Sequence, residues 1–157
     1  MISGCSITAA DFDNAAHTRA IQTLVNELAA CDQGRHEAMR PDELDGLIVG
    51  LQNFPNKEVF LAEKNNVFCG VVICFYQFAT FSGKNMLKVH DLYVAPAFRS
   101  HGVGRHLIQH CVAHARERGC AFVTLEVALD NPAAIELYQR MGFVDWLSPT
   151  KYLELAL

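Results

Sequence analysis

Apolar positions along the chain change period several times, and each change marks an element. Ala20, Ile21, Leu24, Val25 and Leu28 recur at helical spacing after Asn14, and Leu44, Leu47, Ile48 and Leu51 do so after Pro41 and Asp42, where Pro suits the first turn and acids suit the dipole. A polar stretch, Asp32–Met39, separates these two helices. Ile2–Thr8 precedes them as an edge strand, with Ala9–Asp13 leading into the first helix. Next the pattern predicts a hairpin: Glu58–Glu63, a tight turn at Asn65-Asn66, and Val67–Tyr76. The near-continuous apolar run Val67–Phe75 suits a central strand covered on both faces. After a turn region at Gln77–Lys84, Leu87–Val94 pairs back. Val103, Leu107, Ile108, Cys111, Val112 and Ala115 give one face of a helix over 102–118, ended by Gly119. Phe122–Val127 reads as a strand, Asn131 and Pro132 as N-cap and N1 of a helix reaching Met141, and Phe143–Trp146 and Tyr152–Leu157 as the closing strands.

This order predicts an α+β fold, a central mixed β-sheet of about seven strands flanked by about four helices, in a single domain over residues 1–157. Composition narrows the function. With 51% hydrophobic residues and a formal charge of -4, the chain lacks the clustered basic residues that bind nucleic acid, and the acidic balance leans toward a cationic substrate. No basic and then apolar leader opens the sequence, and no apolar run approaches the roughly 18 residues that span a membrane, so a cytoplasmic location with no membrane partner is expected. The six cysteines form no C-x-x-C pair and read as reduced, buried small hydrophobes, with no metal centre expected. His106, His110 and His114 share a helix face, read as solvated rather than as a metal site.

The chemistry concentrates between Val89 and Glu117. A strand ending in Leu92, Tyr93 and Val94 passes through Arg99, Ser100, His101, Gly102, Val103, Gly104 and Arg105 into a helix. Such a strand-loop-helix aims unpaired backbone N–H groups and the positive end of the helix dipole at an anion, with glycines permitting close approach and arginines adding charge. Arg105 and His106 follow Gly104 where a P-loop needs Lys and Ser or Thr, and Leu107 stands where a dinucleotide fingerprint needs its third glycine.

What remains, R-x-x-G-x-G at Arg99, Gly102 and Gly104, resembles the acetyl-CoA pyrophosphate loop of the GNAT superfamily of N-acetyltransferases. A second stretch, Glu126–Phe143, resembles that family's other cofactor motif, N-x-x-A-x-x-L-Y-x-x-x-G-F. The resemblance implies the GNAT fold, acetyl-CoA as cosubstrate and a small-molecule amine as acceptor, with a homodimer expected by analogy. It implies that Asn131 and Ala134 contact the pantetheine or pyrophosphate arm, that the backbone of Leu92 and Val94 pairs with pantetheine amides, and that Tyr138 protonates the departing thiolate. His90 falls where polyamine acetyltransferases carry a glutamate base. Strict alternation puts His90, Leu92 and Val94 on one side of the strand and Asp91 and Tyr93 on the other; a bulge, common here in GNAT folds, breaks that rule and makes Asp91 the rival base or the group orienting His90.

Plainer readings stand beside these. His90 and Asp91 can hydrogen-bond within the sheet, and Tyr138 can be a core aromatic. The acids Asp32, Glu37, Asp42, Glu43 and Asp45, with Phe75, Tyr76, Phe78 and Phe81, read first as helix-start acids and core rings, and second as an ammonium site. The rival functions are an acyl-CoA-binding regulatory module without turnover, and an acetyltransferase acting on a protein lysine or N-terminus.

Overall fold

The computed structural model describes residues 4–145 and 153–155. They fall into two compact units, Met1–Glu126 and Val127–Leu157. The first holds β1 (Cys5–Ala9), α1 (Ala15–Ala30), α2 (Pro41–Asn53), β2 (Lys57–Lys64), β3 (Val67–Ala79), β4 (Lys84–Val94), a 3-10 turn at Pro96–Phe98, α3 (Val103–Glu117) and β5 (Phe122–Leu125). The second holds α4 (Pro132–Arg140).

Local signals set the boundaries. Asn14 caps α1 by accepting from the Ala16 N–H at 2.9 Å, and Glu43 accepts from the Arg40 N–H at 2.8 Å while Pro41 fills N1 of α2. Asn65 and Asn66 take φ of 53° and 62°, the two left-handed positions that a tight hairpin turn demands. The β3–β4 hairpin runs further than its polar tip suggests, because Gln77, Phe78 and Ala79 keep pairing with Met86, Asn85 and Lys84.

The five strands lie in the order β1-β2-β3-β4-β5, antiparallel except for the parallel β4–β5 pair. This is the mixed α+β sheet expected, with five strands among the described residues rather than about seven. Of the two expected closing strands, Phe143–Asp145 and Leu153–Leu155 have no strand pairing, while residues 146–152 and 156–157 lie outside the described residues, as do Ile2 and Ser3 of the first strand.

Alternation divides the core. Val59, Leu61, Val71, Ile73 and Tyr93 pack with Ile21, Leu24, Val25 and Leu51 of α1 and α2. The intervening side chains turn to α3: Cys74 meets Cys111 at 3.7 Å, and the Phe60 ring lies 4.6 Å from that of His110. Leu107 and Ile108 are fully buried, and cutting such a residue back to Ala costs about 2–5 kcal/mol. At Gly70 a Cβ would stand 3.1 Å from both the Tyr93 carbonyl oxygen and Leu107 Cδ1, so β3 carries its glycine where α3 and β4 come closest.

Candidate active site

The loop between β4 and α3 has the strand-loop-helix form that its sequence predicts. Ser100 and Gly102 adopt left-handed φ of 61° and 79°, and the His101 Nδ1–H donates to the Arg99 carbonyl at 2.7 Å, which folds the loop tightly. Gly102 is the N-cap of α3 and offers no side-chain cap; the first helical bond at this end runs from His106 N–H to Gly102 O at 3.0 Å. The N–H groups of Val103, Gly104 and Arg105 therefore have no helical acceptor and face out along the positive end of the dipole. Arg99 donates from Nε to the Val94 carbonyl at 2.9 Å and its guanidinium lies 5.4 Å from the centre of the Tyr93 ring, so it is braced against the end of β4. Arg105 is exposed.

Beside this loop, β4 has an open edge. The Ala95 N–H reaches Cys69 O at 2.9 Å on the β3 side, so antiparallel alternation turns Asp91 and Tyr93 toward β3 and Leu92 and Val94 away from it. On that far side, pairing with β5 covers only Met86 to Val89, opposite Phe122 to Leu125. Among the described residues no strand takes up Leu92 N–H, Leu92 C=O or Val94 N–H, and this exposed ladder suits an extended ligand carrying amides.

The edge opens at a bulge. Asp91 lies opposite Ile73 and Val89 opposite Cys74, leaving His90 as the extra, unpaired residue. The bulge changes which side chains share a face. Val89 follows Cys74 toward α3, and Asp91 follows Ile73 toward α1 and α2. His90 sets its ring 5.3 Å from that of Phe75, which packs on the α1–α2 core. His90 and Asp91 thus lie on the same face, not on the opposite faces that strict alternation predicts. Burial pushes the Asp91 carboxyl above its ordinary value, and the charge of neighbouring His90 pulls the other way.

His90 borders an open pocket of about 380 Å³ that also takes in Phe54, Asn56, Phe75, Gln77 and Lys88. Phe54 meets Phe75 edge to face at 5.1 Å. Lys88 Nζ is 2.8 Å from Glu126 Oε1, and Lys57 Nζ closes the end of α2 by donating to Gln52 O and Phe54 O at 3.1 and 3.0 Å. Phe54, Lys57 and Lys88 were not singled out as site residues by sequence reasoning, for they become neighbours only through pairing of β2, β3 and β4.

In the second unit Asn131 caps α4, its Oδ1 accepting from the Ala134 N–H at 3.2 Å. Tyr138 is buried, its ring 5.8 Å from that of Phe143, and burial pushes its phenol above the ordinary value.

One further expectation is corrected. The face of His106, His110 and His114 is half-buried rather than solvated: His110 and His114 meet Phe60 edge to face, His114 Nε2 lies 2.9 Å from Glu58 Oε1, and burial holds the His110 imidazole below its ordinary value. In the acidic run, Asp42 and Glu43 stand in the first turn of α2, as the first reading of those acids has it. Glu43 is held by Arg35 at 2.6 Å and Arg40 at 3.0 Å, which lowers its carboxyl to about 2, and Asp42 pairs with Arg40 at 3.3 Å. The arginines stand in the same stretch of sequence, so this pairing was readable there. Cys69, Cys74 and Cys111 are buried as expected, while Cys5, Cys31 and Cys120 are only half-buried. Among the described residues no helix is long and apolar enough to cross a membrane.

Residues 21–143 match the Acetyltransferase (GNAT) family. An uncharacterised N-acetyltransferase of Methanocaldococcus jannaschii is 34% identical over 85 residues, 54% of this chain and 38% of that protein. Streptothricin acetyltransferase of Streptomyces lavendulae is 47% identical over 57 residues, 36% of this chain and 30% of that one. The chain thus spans well under half the length of these curated relatives. Among solved structures, an aminoglycoside acetyltransferase from an uncultured soil metagenomic sample, in complex with sisomicin, shares the fold with a TM-score of 0.79 at 18% identity, covering 97% of each chain.

Proposed function

The chain belongs to the GNAT acetyltransferase family, and from that premise we propose that it moves an acetyl group from acetyl-CoA to a primary amine by direct attack within a ternary complex. The observation that carries the reading is the single strand β4, which leaves its parallel neighbour after Val89, bulges at His90 and runs into the cradle at the start of α3. The residues fit the cosubstrate. The free N–H groups of Val103, Gly104 and Arg105, with Ser100 and His101 shaping the turn, suit a diphosphate, and Leu92 and Val94 suit the amides of pantetheine. Tyr93 supports from beneath, its ring under Arg99. Asn131 and Ala134 form the second contact that the family motif assigns. Bound there, acetyl-CoA supplies a thioester acyl group.

The chain's own groups then handle protons. A lysine-like amine, with a pKa of about 10.4, is almost wholly charged at neutral pH and cannot attack until a proton leaves. His90, exposed and beside Asp91, takes that proton, and Asp91 orients the imidazole. The new C–N bond forms as the C–S bond breaks, and Tyr138, kept protonated by burial, gives its proton to the leaving sulfur. The Leu92 or Val94 N–H polarises the carbonyl. A cytoplasmic location and a homodimer belong to the same proposal and rest on family analogy.

The test is thiol release from acetyl-CoA over a panel of amines, with Tyr138→Phe alongside. A hit whose kcat falls about a hundredfold or more in the variant supports the reading. Silence across the panel with acetyl-CoA still bound would instead favour a module that binds acyl-CoA without turnover.

A further inference from the structure

We infer that the pocket beside His90 takes a primary amine whose apolar or aromatic body carries a carboxylate, with Lys88 as the partner of that carboxylate. The inference deepens the acetyl-transfer reading and rests on it. The acidic composition and the acid-rich α1–α2 segment favour a polycation, but the structure turns that expectation round. A polycationic amine needs several carboxylates around its site, and of the acid-rich segment Glu43 and Asp42 are held by Arg35 and Arg40, while Asp32, Glu37 and Asp45 do not border the pocket. Among the described residues that border the pocket, none is a carboxylate. The one full cation is Lys88, the amides are Asn56 and Gln77, and the wall is the Phe54–Phe75 pair. Lys57, bonded to the Phe54 carbonyl, adds a second positive charge close by.

Lys88 lies opposite Phe75 on the same face as His90 and two residues before it, a separation of about 6–7 Å along a strand. Side chains so spaced on one face stand side by side, where one small molecule can meet Lys88 with its carboxylate and His90 with its amine. The Lys88 side chain is three-quarters buried, whereas that of its partner Glu126 is 66% exposed. An ion pair so open on one side is worth little, so an incoming carboxylate can displace Glu126 from Lys88. The aromatic wall buries the body of the ligand, and the two amides are left for its remaining polar atoms.

The test compares matched acceptors, 6-aminohexanoate with 6-aminohexanamide and phenylalanine with phenylalaninamide, beside spermidine, in the wild type, Lys88→Gln and Glu126→Gln. Differences in amine basicity cancel when the acid-to-amide ratio of kcat/KM is compared between proteins. The acid-to-amide ratio of the wild type should exceed that of Lys88→Gln by about tenfold, the worth of one charge-assisted contact. Glu126→Gln, which removes the competing carboxylate, should raise the ratio above that of the wild type. An ion pair of purely structural value would move both variants the same way, and that result overturns the inference. So does a wild-type preference for spermidine, or a ratio that Lys88→Gln leaves unchanged. Calorimetric titration of 6-aminohexanoate and its amide separates this inference from the reading it rests on. If no amine releases thiol yet the acid binds more tightly in a Lys88-dependent way, acetyl transfer fails and the pocket assignment stands. If titration shows no such preference, the assignment falls.

Discussion

On the α3 side of the sheet, the groups proposed to meet an anion are consecutive, from Arg99 to Arg105, and their geometry comes from the turn and helix that those same residues form. On the α1–α2 side, Phe54, Phe75, Lys88 and His90 come from the end of a helix and two strands, and only strand pairing makes them a site. A backbone cradle tolerates side-chain change but not a change of φ or of charge. An assembled pocket can change its ligand by single substitutions while the fold stands. The first kind of site therefore reports a family, and the second reports a substrate.

Gly102→Asp should break the cradle with the largest effect. It adds a carboxylate and a Cβ at a φ of 79°, beside the free amides of Val103, Gly104 and Arg105. Affinity for acetyl-CoA should fall about a hundredfold or more, since charge-assisted contacts are lost and repulsion is added. Titration with an acceptor carboxylate should be unmoved, and parallel loss on both sides would dissolve the distinction between them.

Gly70→Ala comes next and tests the seam between the two faces. Its new Cβ meets the Tyr93 carbonyl oxygen and Leu107 Cδ1 at 3.1 Å and Val103 Cγ1 at 3.3 Å. Leu107 can shift, whereas a strand carbonyl cannot without disturbing β4. Overpacking of this kind costs about 1–3 kcal/mol, read from urea unfolding, and acetyl-CoA affinity should weaken with it because Val103 opens the cradle helix. A variant as stable as the wild type would show that β3 and α3 separate freely.

The same contrast explains what could be read before any coordinates. Helices α1 to α4 follow from spacing, caps and glycine stops, all carried within a few residues, and the cradle follows from one strand-loop-helix run. The bulge at His90 could not be derived from alternation, because it exists only in the register with Ile73 and Cys74. The histidine stripe was misread because Phe60 and Glu58, which cover it, lie far away on β2. Gly70, interrupting an otherwise apolar run, was a signal in plain view. The same holds for Arg35 and Arg40 among the acids.

The smallest effect, and the one with a sign to check, sets two carboxylates of the first unit against each other. Glu43, bonded to Arg35 and to the Arg40 N–H, has its folded value lowered from 4.5 to about 2. Over that interval the unfolded chain binds more protons, so the stability Glu43 contributes is complete above its ordinary value and is lost as pH falls toward 2. Asp91 is raised by burial from 3.8, so above that value the folded chain binds more protons and stability declines as pH rises through the folded value. Urea midpoints taken between about pH 3 and pH 7 should therefore shift in opposite directions. Glu43→Gln should be less stable than the wild type at neutral pH and lose less on acidification. Asp91→Asn should be more stable at neutral pH, the more so beside His90→Ala, which removes the charge that offsets the burial of Asp91. An Asp91→Asn protein weaker than the wild type at neutral pH would mean that the carboxylate holds a bond to His90 strong enough to outweigh its burial, and the two residues would then act as one unit in taking the amine proton.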